Sequence, residues 1–305
     1  MADSELQQVI QIWKDVGQRA QAITGVEGLR MLVEELALQF PMDADIQSER
    51  VDAGGVPAEW IQAPAATNGV LLYLHGGGFV CGSVKSFGHM LGRLARATGL
   101  RVLGIEYRLA PENPFPAAVQ DAMAAYRWVL SRGVDSKDIV VAGDSAGGGL
   151  TLSTLIALRY FGEPLPAAAV CLSPWADLTN SAESFATKAA VDPCVQREAL
   201  ELFVNFYLGN RDRRTPLASP LHADLQGLPP LLIQVGSSET LLDDSIHLAD
   251  RAKAAGVDVT LEIWNDMVHV WHLFAPILRE GRQAIERIGE FVQKRAATRA
   301  HRQTP

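Results

Sequence analysis

Cysteine is scarce: Cys81, Cys171 and Cys194 are the only three in 305 residues. Their wide spacing offers neither a disulfide framework nor a Cys-x-x-Cys metal site, so no metal is expected. Reduced thiols fit a cytoplasmic protein. Long apolar runs are also missing, and nothing approaches the ~18 residues that mark a membrane span. The N-terminal stretch MADSELQQVIQIWKDV carries acids where a secretory leader needs bases. Basic charge is in deficit, with 27 Lys and Arg against 35 Asp and Glu and a net charge of −8. Such a field repels phosphate backbones, which argues against a nucleic-acid partner, and no membrane partner is expected. At 48% hydrophobic and 20% charged residues, the chain is neither disordered nor of low complexity. No internal repeat is visible.

The hydrophobic period changes along the chain. Leu6, Val9, Ile10, Trp13 and Val16 recur at helical spacing, and Leu29, Leu32, Val33, Leu36 and Phe40 repeat the pattern up to Pro41. Residues 46–63 alternate around Gly54, Gly55 and Pro57, which predicts a hairpin. Short β-rich runs follow at Val70–Leu74, Val102–Tyr107, Ile139–Ala142, Ala167–Leu172, Leu231–Val235 and Val257–Ile263. Helical stretches fall between them near 86–98, 117–131, 147–161 and 243–255, with a last one near 277–296. This alternation predicts an α/β fold with a mostly parallel central sheet and helices on both faces.

One interval breaks the rhythm. The chain between Leu172 and Leu231 is far longer than the ~12–15 residues usual for a structureless loop. Residues 196–208 read as an amphipathic helix inside it. The expected organisation is therefore N-terminal cap helices over 1–45, an α/β domain in two pieces (46–177 and 216–296), an inserted cap segment over 178–215 and a frayed basic tail over 297–305.

Gly143-Asp144-Ser145-Ala146-Gly147 matches G-x-S-x-G and has the context that motif demands, a strand running in and a helix running out. The small neighbours allow a strained turn that lifts the Ser145 hydroxyl clear of the sheet, which makes Ser145 a candidate nucleophile. The turn also places the Ala146 amide at a helix N-terminus, where an anion is favoured. Upstream, His75-Gly76-Gly77-Gly78-Phe79 follows the strand VLLYL directly. Three consecutive glycines can aim amides into a shared space as an oxyanion loop, with Gly77 and Gly78 ahead of Gly76 as donors. His75 is expected to brace that loop rather than act as a base.

The remaining partners should follow in the order acid, then histidine. Glu239 lies just past the strand LLIQV, on the rim that carries Ser145. Asp243 and Asp244 are alternatives a turn later, where the ordinary role of an acid is helix capping. His269 opens the loop after VDVTLEIW and is the candidate base. His272 is the alternative, with packing as its ordinary role. Arg108 and Glu112 are expected to pair with each other.

With these residues in place, the chain resembles the hormone-sensitive-lipase family (bacterial family IV) of α/β-hydrolase carboxylesterases. HGGGF at 75–79, YRLAPE at 107–112, FPA at 115–117, GDSAGG at 143–148, SPWAD at 173–177, SPL at 219–221 and GLPPLLIQVG at 227–236 stand in that family's order, across about residues 45–292. The resemblance implies an α/β-hydrolase fold with a helical cap. It also implies a Ser145–His269–Glu239 triad, an acyl-enzyme intermediate, no cofactor, and a possible homodimer through the edge strand Val257–Ile263. Two departures stand out. The family's acid is usually an aspartate followed by proline, where this chain has Glu239-Thr240. Its histidine is usually followed by Gly-Phe, where this chain has Val270-Trp271.

The expected substrate is a small-molecule, short-chain carboxylic ester, enclosed by the inserted segment and the N-terminal helix. The nearest alternative keeps the triad and cleaves an amide, a formamide or an acetylated compound. A non-catalytic ligand receptor is the alternative of a different class. Receptors resembling this family have lost the histidine, and His269 is present here. A carboxylate partner raises the pKa of His269 and burial lowers it, so the two effects oppose each other.

Overall fold

The central strands carry apolar residues on both faces, so both faces must be covered. In the computed structural model, which describes residues 4–302, β3 (Val70–Leu74) is buried along its whole length. Leu72 and Leu74 pack into the layer that holds α4 (Ala117–Ser131) and α5 (Ala146–Tyr160). Leu71 and Tyr73 pack into the opposite layer with α3 (Val84–Thr98) and α9 (Arg279–Arg302).

β3 belongs to one eight-stranded sheet. Its other strands are β1 (Gln47–Asp52), β2 (Pro57–Gln62), β4 (Arg101–Ile105), β5 (Ile139–Asp144), β6 (Ala168–Leu172), β7 (Leu231–Gly236) and β8 (Val259–Trp264). The order is β1-β2-β4-β3-β5-β6-β7-β8. The hairpin β1–β2 is antiparallel, and β2 joins β4 antiparallel. Every other pairing is parallel. This is the mostly parallel α/β sheet expected from the alternation of runs, and it has the α/β-hydrolase fold that the family resemblance implied. Parallel pairing brings the C-terminal ends of β5, β7 and β8 to one rim, where their loops meet.

Most element boundaries shift by one or two residues from expectation, and three of the differences are instructive. The second N-terminal helix, α2 (Val26–Ala37), stops before Phe40. Leu38 and Gln39 close it with tight bonds to the carbonyls three residues back, because Pro41 disfavours helical backbone at the residue before it. The edge strand β8 begins two residues later than the apolar run. The last helix continues to Arg302, into the segment expected to fray, while 303–305 lie outside the described residues. Among the described residues no helix is long and apolar enough to cross a membrane.

Above the rim lie α1 (Ser4–Gln21), α2 and the helix of the inserted segment, α7 (Arg197–Leu208), preceded by the short α6 (Ser184–Thr187). Leu6 and Val9 of α1 pack against Met267, Val268, Trp271 and Phe274. Arg30 of α2 donates to the carbonyls of Val80 and Ala110 and makes a bidentate pair with Glu112 at 2.7 and 3.0 Å. Arg108 instead grips Asp121, at 2.7 Å for the closest contact. The expected Arg108–Glu112 pair therefore does not form, because each has a better-placed partner on a neighbouring helix.

Helix α5 meets the sheet backbone to backbone. A Cβ at Gly147 would sit 1.9 Å from the Leu74 carbonyl oxygen. Neither backbone can yield without moving β3 or α5. Gly147→Ala is expected to cost ~3 kcal/mol or more in chemical denaturation. Gly88→Ala on α3, where the new methyl meets open space, should be neutral or stabilising by up to ~1 kcal/mol.

Candidate active site

Ser145 sits where β5 turns into α5, with φ 53° and ψ −123°. A non-glycine residue with positive φ is strained. Two bonds from the end of β6 and the loop after it hold it there: the Ser145 amide donates to the Leu172 carbonyl at 2.8 Å, and the Trp175 amide donates to the Ser145 carbonyl at 2.9 Å. Ala146, fully buried, is the first residue of α5, so its N–H faces out of the helix N-terminus without an intrahelical partner.

The glycine loop is braced from below. Asp144, buried behind Ser145, accepts the Tyr73 hydroxyl at 2.7 Å and the Gly76 amide at 2.9 Å on the same oxygen. Burial pushes its carboxyl up to about 6, opposed by the Tyr73 bond. Gly76 therefore drops out of the expected donor set, since its single N–H is engaged by Asp144. Gly77 and Gly78 line the cavity beside Ser145. His75 stacks on Tyr107 at 4.3 Å, and its Nδ1 donates to the Gly76 carbonyl at 2.8 Å. Burial holds the ring neutral by lowering its pKa to about 4. The Tyr107 hydroxyl closes the brace by donating to the His75 carbonyl at 2.7 Å.

Glu239 and His269 meet in the interior. Nδ1 of His269 donates to Oε2 of Glu239 at 2.9 Å, and Glu239 is fully buried. The other carboxylate oxygen accepts the Ser173 hydroxyl at 2.7 Å and the Gly236 amide at 2.6 Å. Ser173 lies in SPWAD at the end of β6, on the same rim. Its motif and rim position were visible, but its partner needed the tertiary structure. Burial works against the charged imidazole. The hydrogen bond and charge of Glu239, with the charges of Asp192 and Asp144, outweigh it and hold His269 above its ordinary value.

The alternatives have other partners. Asp243 accepts the Ser184 amide at 2.7 Å. Asp244 accepts the amides of Ala176 and Asp177, each at 3.0 Å, and burial pushes its carboxyl up to about 8. Asp243 thus reaches across to the start of α6 and Asp244 to the loop after β6, instead of capping α8 (Leu242–Ala254). His272 bonds Gln234 at 2.9 Å and is kept neutral by burial, with its pKa lowered to about 3.

Ser145, His269, Gly77 and Gly78 line one cavity of about 860 Å³. Its upper walls are apolar: Trp13 and Val16 of α1, Leu29 and Leu36 of α2, Phe203 and Phe206 of α7. The cap helix also touches the glycine loop, since Phe79 stacks on Tyr207 at 3.8 Å with the rings 4° from parallel.

A serine on a strained strand-to-helix turn, lining one cavity with a buried acid–histidine pair on this sheet order, is the arrangement of the α/β-hydrolase class. The chain matches the family described as alpha/beta hydrolase fold over residues 71–273. A solved esterase from the bacterial hormone-sensitive lipase family superposes with a TM-score of 0.95 at 56% identity, covering 97% of this chain and 99% of that one. An esterase/lipase from an uncultured bacterium reaches a TM-score of 0.91 at 46% identity, covering 97% and 100%. In sequence, the acetyl-hydrolase of Streptomyces hygroscopicus is 49% identical over 243 residues, 80% of this chain and 81% of that protein. This chain belongs to the hormone-sensitive-lipase family of α/β-hydrolase carboxylesterases.

The buried pair sets a titration that can be read directly. His269 should titrate above its ordinary 6.5 in an NMR titration of the folded protein. Glu239→Gln should lower that value, and Asp243→Asn should leave it in place.

Proposed function

We propose that the protein hydrolyses short-chain carboxylic esters through a Ser145–His269–Glu239 triad. The observation that carries this reading is the cavity on whose wall the strained Ser145 turn and the Glu239-bonded His269 stand together. Ser145 Oγ attacks the ester carbonyl while His269 Nε2 takes its proton. Charge builds on the carbonyl oxygen, facing the amides of Gly77, Gly78 and Ala146. Collapse of the tetrahedral intermediate breaks the bond to the alcohol, which leaves with the proton from His269 and deposits the acyl group on Ser145. Water, deprotonated by His269, then attacks the acyl-enzyme and frees the acid and the serine. Glu239 holds the imidazole with its proton on Nδ1 and stabilises the cation formed at each step.

The size limit comes from the cap. A volume of about 860 Å³ lies within the ~300–1,000 Å³ of small-molecule sites and must hold the acyl and alcohol parts together. The aromatic walls at Trp13, Phe203 and Phe206 oppose extension, because further methylenes must displace packed side chains at ~1–3 kcal/mol each. The naming of the Streptomyces relative as an acetyl-hydrolase points the same way. The edge strand β8, with Ile263 exposed, suits pairing with a second copy.

The reading is tested by labelling with a fluorophosphonate probe, which should modify Ser145 and fail on Ser145→Ala. Glu239→Gln should lower kcat by ~10³-fold or more with the fold intact. A crippled Asp243→Asn beside a near-normal Glu239→Gln would reverse the assignment of the acid. Since the base must be neutral, kcat/KM should fall as pH drops through a single ionisation lying above 6.5.

Across aryl esters of graded acyl length, kcat/KM should first rise by ~0.8 kcal/mol of burial per methylene, then drop within a few carbons. A continued rise to long chains, faster at an oil–water interface, would mean a lipase.

A further inference from the structure

The inserted segment does more than roof the cavity. Asp192 is buried to 2% exposure, although its neighbour Val191 is 53% exposed. Its Oδ1 accepts the amides of Cys194 and Val195, each at 2.9 Å. That turn, with Pro193, Cys194, Val195 and Gln196, is a wall of the cavity. Its Oδ2 points the other way and accepts both the amide of Thr240 at 2.8 Å and the Thr240 hydroxyl at 3.1 Å. Thr240 follows Glu239 directly. One carboxylate thus bridges the cavity wall and the loop that carries the acid, and all four of these donors are neutral.

Two further contacts tie the same loop to the same segment. The Ser184 hydroxyl donates to the Thr240 carbonyl at 2.6 Å, and Asp243 accepts the Ser184 amide. The bridge through Oδ2 depends on this chain's own departure from its family's usual acid–proline pair. A proline at 240 has neither the N–H nor the hydroxyl that Asp192 receives. A glutamate has one more rotatable bond than an aspartate, so its carboxylate needs a firmly held backbone to stay on Nδ1.

We infer that Asp192 is a positioning residue for ester hydrolysis, holding Glu239 in register on His269 by fastening the Thr240 backbone and hydroxyl to the cavity wall. The groups that face His269 electrostatically are Glu239 from its own rim, Asp192 from the inserted segment and Asp144 from the end of β5. His272, on the turn that follows, is neutral. Asp192 acts on this set in two ways: its charge favours the imidazolium, and its bonds keep Glu239 in place.

The inference rests on Glu239 being the triad acid, so Glu239→Gln is measured beside the test variants. Asp192→Asn keeps the shape and the Oδ1 acceptor but puts an NH₂ against the Thr240 amide. It should lower kcat on the order of ten- to hundred-fold, with KM changed less. It should also move the acid limb of kcat/KM to lower pH by about half a unit or more, because His269 loses support for its charged form. Thr240→Pro removes both donors and should shift kcat and the acid limb in the same direction. Thr240→Ser retains both donors and should behave as wild type.

If Asp192→Asn does not fold, Thr240→Pro and Thr240→Ser decide the matter alone. An acid limb at the wild-type pH in Asp192→Asn or Thr240→Pro, whatever happens to Tm, would reduce Asp192 to a turn staple and overturn the inference. A near-normal Glu239→Gln would instead overturn the triad reading itself, so the two failures are distinguishable.

Discussion

The strained turn at Ser145 depends on how closely α5 approaches β3. With Gly147 against the Leu74 carbonyl, the helix can begin directly beneath the end of the strand. The chain then has one residue in which to reverse, and that residue takes φ 53°. The same close approach sets the depth of the glycine loop, since Leu74 is immediately followed by His75 and Gly76. Asp144 ties the two together by accepting the Gly76 amide from the strand end beside the serine. A larger residue at 147 would therefore disturb the serine and the loop opposite it at once.

The cap is built into this arrangement rather than laid on top of it. On one side α7 stacks Tyr207 on Phe79, directly after the glycine loop. On the other side the chain leading into α7 grips Thr240, directly after Glu239. From the N-terminal side, Arg30 of α2 holds the Val80 and Ala110 carbonyls beside the same loop. The walls of the cavity and the geometry of the polar groups are thus set by the same segments of the chain. Apolar packing supplies the roof, and a few buried hydrogen bonds supply its register, each with a large cost if left unmade.

Burial divides the titratable groups of the site into distinct kinds. His75 and His272 have no charged partner within bonding reach, so desolvation keeps them neutral and they serve as braces. His269 is equally enclosed, yet its contact with Glu239 reverses the sign. What separates them is a carboxylate at 2.9 Å, not a difference in exposure.

Periodicity alone carried the order of strands and helices, because fully buried strands and one-sided helices leave local patterns that later packing does not erase. The G-x-S-x-G turn, the HGGG loop and the placement of Glu239 and His269 after strands were likewise legible, since parallel pairing sends every strand end to one rim. Helix ends were less so: α2 stops short of Phe40 through the backbone restriction imposed by Pro41. What only the tertiary structure decided was partnership. Arg108 with Asp121, Glu112 with Arg30, Gly76 with Asp144, Ser173 with Glu239 and Asp192 with Thr240 all join residues from separate elements. So does the direction of the His269 shift, which balances burial against three carboxylates drawn from three parts of the chain. Local spacing can say which residue types reach a rim. Which donor meets which acceptor depends on distances that exist only once the layers have packed.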